Sequence, residues 1–126
     1  MKRFLLILVA LAPAPAMAAP GGALRVLLKG AWACEIGGDA TSPPQSVPQD
    51  GFRVIADSSY RTADGRSGSY LLLGKALTMT GGPFKGRRYV LVGQGILHPL
   101  DSQGQRTGER CVRLSSGSGS SEDGGN

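Results

Sequence analysis

Residues 68–95, GSYLLLGKALTMTGGPFKGRRYVLVGQG, decide the fold class. Their three apolar runs, at 69–73, 76–80 and 88–92, are each too short for an ordinary globular helix, and glycine punctuates the gaps between them. Leu77 and Met79 alternate with Thr78 and Thr80, while Tyr89 and Leu91 alternate with Arg88, Val90 and Val92. That period of two belongs to a strand with one dry face. Gly81-Gly82-Pro83 ends the second run, because proline fixes φ and donates no N–H to a ladder. Gly74-Lys75 reads as a turn and not as a phosphate cradle: Ala76 follows it, the full Gly-rich spacing is missing, and no helix opens there. The stretch is a β meander whose glycines turn the sheet.

The same language extends outward. Further short runs lie at 24–28, 31–36, 52–56 and 110–114, and Trp32, Cys34 and Ile36 alternate with Ala33 and Glu35. Asp64-Gly65 is a hairpin turn with Tyr60 before it and Tyr70 after it. Residues 37–51 carry Pro43, Pro44 and Pro48 and few large apolar groups, which marks a surface loop. The expected fold is all-β: a single small antiparallel β-barrel or β-sandwich, two architectures that periodicity alone does not separate.

Residues 1–18 read as a signal peptide. Lys2 and Arg3 precede the uncharged apolar run Phe4 to Leu11, and Ala16-Met17-Ala18 has the small-x-small form of a cleavage site. The run is shorter than the roughly 20 residues that span a bilayer, so no stable transmembrane segment is expected after processing. Residues 115–126 have no apolar side chain to repay ordering and are expected to form a disordered Gly/Ser-rich tail. Residues 19–114 remain as one domain, and the signal peptide leads to the expectation of a periplasmic or secreted protein. Cys34 and Cys111 are the only cysteines of the chain, and export into an oxidising compartment lets them pair. A disulfide closing a loop of that length would stabilise by about 4 kcal/mol in the chain-entropy account. Neither cysteine has a neighbouring histidine or second cysteine, so no metal site is expected, and no cofactor motif is present.

Charge and chemistry narrow the function without naming it. Residues 19–114 hold 12 lysines and arginines against 7 acids, dispersed along the chain, with no nucleic-acid module. Arg87 and Arg88 are adjacent on a strand and must point to opposite faces, so only one can turn toward a cleft and meet a carboxylate or phosphate. Gly65-Arg66-Ser67-Gly68-Ser69 departs from a nucleophile elbow at Ser69, where that turn requires glycine. Asp57, Asp64 and Asp101 sit in turn-like sequence, and His98 adjoins Pro99. A hydrolase would need these distant groups to converge.

The arrangement Gly30-Ala-Trp-Ala-Cys34, Phe52-Arg-Val-Ile55, Tyr60, Gly68-Ser-Tyr70, Leu77 to Gly86 and Cys111 resembles a family of uncharacterised small exported bacterial β domains. The chain also has a broad similarity to periplasmic lysozyme inhibitors, which combine export, short strands and a disulfide. No functional residue is carried over from either. The functional expectation is a noncatalytic exported envelope interaction or ligand-binding protein, with a structural envelope protein and a small hydrolase as alternatives. Its partner would be an envelope protein, a glycan or a small anionic ligand. The candidate contact residues are Trp32, Tyr60, Lys85 and Arg87, with Trp32 read first as a core residue.

Overall fold

The computed structural model describes residues 10–13 and 22–115. Most of the expected signal peptide, its cleavage site and the tail beyond Ser115 lie outside the described residues.

The strands are β1 (Leu24–Arg25), β2 (Gly30–Ile36), β3 (Gln45–Ser46), β4 (Phe52–Ala56), β5 (Ser59–Thr62), β6 (Ser67–Leu73), β7 (Ala76–Gly81), β8 (Arg88–Val92), β9 (Ile96–Leu100) and β10 (Glu109–Arg113). β4 to β10 pair antiparallel in chain order, β2 pairs with β4, and β10 returns to β2. Eight strands therefore close an up-and-down barrel, which removes the open edges that a sandwich would leave. β1 adds to β6 and β3 adds to β2, both outside the closed ring.

Alternation fills the interior. Trp32, Phe52, Val54, Tyr60, Tyr70, Leu72, Leu77, Met79, Tyr89, Leu91 and Leu97 are buried while their strand neighbours are not. These side chains fill the space that eight strands enclose, so the lumen is a packed core. Phe52 is its hub: it lies 6.1 Å from Trp32 in a near-parallel stack and meets Tyr60 and Phe84 edge-on.

Cys34 and Cys111 stand directly opposite each other on the closing pair β2–β10 and form the disulfide expected for them. The Cys34 carbonyl turns to the other side of β2, where Val47 N–H donates to it at 2.8 Å. The sulfurs thus bridge a pair that exchanges no backbone hydrogen bonds, the closer kind of cross-strand pair. The seam joining the two ends of the meander is covalent.

The glycines of the 68–95 stretch do more than turn the chain. A side chain at Gly68 would meet the Tyr60 ring at 2.4 Å and the Gly81 carbonyl at the same distance. Gly82, at φ +82°, would bring a Cβ within 2.4 Å of the Gly68 Cα. Two backbones and an aromatic ring approach here as only glycine permits. The Tyr60 hydroxyl then donates to the Gly81 carbonyl at 2.7 Å and accepts from Phe84 N–H at 2.9 Å. This phenol joins the buried Phe84 ring and the Met79 backbone in tying the 81–87 turn to the core.

Three details differ from the sequence reading. Ile36 is 49% exposed, because the strand has by then run to the barrel rim. β5 and β9 lie outside the apolar runs: β5 is polar at every position but Tyr60, and β9 contains Pro99. β10 pairs with β9 only at Ile96 and Leu97, and beside Pro99 runs the short 105–107 segment, whose Thr107 N–H donates to the Pro99 carbonyl at 3.1 Å while proline offers no N–H in return. The 37–51 loop carries a two-residue strand and a 3-10 turn at Pro48–Asp50 that delivers Asp50 to the barrel end.

Candidate functional site

The four side chains expected to share a rim do not share one. Trp32 is 2% and Tyr60 0% exposed; each belongs to the inward face of its strand, and neither offers surface to a partner. All six aromatic residues at positions 32–89 are buried. Lys85 is exposed on the 81–87 turn. Arg87 and Arg88 diverge as adjacency demands: Arg88 donates to the Asp101 carbonyl at 3.1 Å, while Arg87 turns to the barrel end and bonds Asp50 at 3.0 Å.

Arg87 closes that end. Its guanidinium lies 3.9 Å over the Phe84 ring, and that ring also stacks on Tyr60 at 5.7 Å. Phe84 thus contacts both a core phenol and a surface cation. Below lies a cavity of about 270 Å³ lined in part by Asp50, Arg87, Tyr89, Pro99 and Glu109. Burial pushes the Tyr89 phenol up to about 12, against the opposing pull of Arg87. Burial, and then hydrogen bonding to Asp50 and its charge, push Glu109 up to about 7, with Arg87 again opposing. Its Oε1 is buried and has no hydrogen-bond partner among the described residues, which favours a protonated carboxyl. A Glu109 oxygen and both disulfide sulfurs lie within 4.8 Å of one another, but sulfurs bonded together offer no thiolate to a metal. The cation here already has its carboxylate, so the cluster works first as a latch.

The open site lies on the outer wall. β2 pairs with β4 only through Gly30–Trp32 and with β3 at Glu35 and Ile36, and the chain between β3 and β4 leaves the wall. A groove of about 520 Å³ opens where the two ladders part. Ala31 and Ala33 contribute small side chains, Ser46 and Pro48 line one side, and Arg53 and Arg61 line another. Alternation aims both arginines outward, since Phe52, Val54, Tyr60 and Thr62 beside them are buried. They face each other directly across β4–β5, with Ala31 opposite Arg53 on the next strand. The described residues include four ion pairs, and neither arginine takes part in one or in a side-chain hydrogen bond. Like charges directly opposite are destabilising, so this pair costs stability in the unliganded protein.

The carboxylates considered for catalysis stay apart. Asp57 pairs with Lys29 across the surface at 3.8 Å. Asp64 accepts from Thr62 and from Arg66 within its own turn, which holds its carboxyl below the usual range. Asp101 accepts from the backbone N–H groups of Gln103 and Gln105, each at 2.9 Å. His98 lies on β9, where burial and the charges of Arg106 and Arg110 hold its imidazole below the usual value. Each aspartate has the local bonding of a turn or a surface pair. No known family, curated protein or solved structure matches the chain.

Proposed function

We propose that the protein is a noncatalytic exported binding module of the bacterial envelope that takes an anionic partner in the Arg53/Arg61 groove. One observation carries this reading: two arginines are set directly opposite each other on the wall of an open groove, with no carboxylate partner among the described residues. A groove of that volume falls within the range of small-molecule sites. The packed lumen turns recognition to the outer surface. Dispersal of Asp57, Asp64, Asp101 and His98 supports binding over hydrolysis. A buried disulfide fits a periplasmic or extracellular destination. Among the described residues no helix is long and apolar enough to cross a membrane.

The test is retention of an anionic envelope fraction by the immobilised oxidised protein, compared with the Arg53→Glu/Arg61→Glu variant. The reading expects salt-sensitive retention by the parent and none by the variant. Equal retention by both would contradict it.

A further inference from the structure

We infer that the ligand of this groove is a phosphomonoester on a small hydroxylated body, a sugar phosphate in chemical class. The inference rests on the binding function proposed above and names its ligand.

Charge and geometry select the anion. Arg53 and Arg61 are cross-strand partners, which sets their Cβ atoms about 5 Å apart, so two planar guanidinium forks can converge on one group. A carboxylate has two oxygens and one charge, enough to satisfy a single fork. A phosphomonoester has three free oxygens and a charge of about −1.5 to −2 at neutral pH, which matches two arginines. A sulfate ester has the same shape and only one charge.

The walls select the body. Ala31 and Ala33 leave room for a compact group over β2, and Ser46 offers an exposed hydroxyl within the groove lining. The aromatic rings of Trp32 and Phe52 turn into the core. A base or other aromatic body therefore has no ring to stack on, whereas a sugar needs hydroxyl partners and a small apolar floor. The same phosphate chemistry has two sources: a soluble sugar phosphate, or a phosphomonoester headgroup in a lipid surface.

The experiment follows backbone amide and arginine Nε–Hε resonances of the purified, oxidised, isotopically labelled protein. The probes are glucose 6-phosphate, glucose, glucose 6-sulfate, galacturonate, and phosphatidylcholine vesicles with and without phosphatidic acid. Saturable shifts at Ala31, Ala33, Arg53 and Arg61 with glucose 6-phosphate, and none with glucose, support a soluble ligand. Response to phosphatidic acid vesicles alone keeps the phosphomonoester in a lipid surface and overturns the sugar body. Arg53→Lys/Arg61→Lys keeps both charges and removes both forks, and should weaken the phosphate response about tenfold, a loss that simple charge attraction would not produce. Equal response to galacturonate or glucose 6-sulfate overturns the phosphomonoester and leaves the anion groove standing. Silence of the groove toward every anion overturns both.

Discussion

Arg53 faces Arg61 across the β4–β5 ladder, one like charge opposite another, and no described carboxylate neutralises either. Like charges set directly opposite cost stability. Arg61→Glu should therefore raise stability by about 0.2–1 kcal/mol at low salt by creating a cross-strand ion pair, while abolishing anion binding. Urea denaturation of the two proteins checks it. A variant less stable than the parent would show that the pair is not repulsive.

The disulfide seals the seam on which barrel closure depends. Cys34→Ala/Cys111→Ala should lose about 4 kcal/mol of unfolding free energy, with amide exchange accelerating first along β2 and β10. Unchanged stability would mean that the meander holds its own ends together without the crosslink.

Tyr60 and the glycines form one unit. Gly68→Ala places a methyl against the Tyr60 ring and should cost about 1–3 kcal/mol. Tyr60→Phe strands the Gly81 carbonyl and Phe84 N–H and should cost a similar amount, about 1–3 kcal/mol. The double variant should fall short of the sum, because both changes disturb the same contact. Additive losses would separate them.

Glu109 gives the barrel end a pH dependence of definite sign. Its folded carboxyl is raised to about 7 from an ordinary 4.5, so the folded state holds a proton that the unfolded state releases. Its contribution to stability is present in acid and declines as pH rises from about 4.5 to about 7. His98, held below 6.5, pushes the opposite way just under that value. The measurement is therefore the difference between parent and Glu109→Gln unfolding free energies across that range. The parent should lose stability relative to the variant as pH rises; a constant or reversed difference would contradict the assignment.

Strand positions were largely legible because burial follows alternation: Leu77, Met79, Tyr89 and Leu91 read inward and are inward. The disulfide was legible because only two cysteines were available. Closure was not, since a β meander carries no mark of whether its last strand returns to its first. The site was hidden for a related reason. Arg53 lies in the apolar run 52–56 and Arg61 lies in none, so only strand register makes them a pair. A register shift between Val54 and Ala56 puts that register beyond simple counting from the turn. Asp50 and Glu109 meet Arg87 only once three distant segments reach the same barrel end. Trp32 and Tyr60, attractive as contact residues for their chemistry, are claimed by the core.

The central claim is that the barrel binds through its outer groove. Its most direct test is the amide correlation spectrum of the oxidised protein, recorded before and after addition of an anionic envelope fraction. The account predicts shifts or broadening centred on Ala31, Ala33, Arg53 and Arg61 that vanish in Arg53→Glu/Arg61→Glu while the rest of the spectrum persists. Perturbation centred on Lys85 and Arg87, or a spectrum that does not respond, would contradict it.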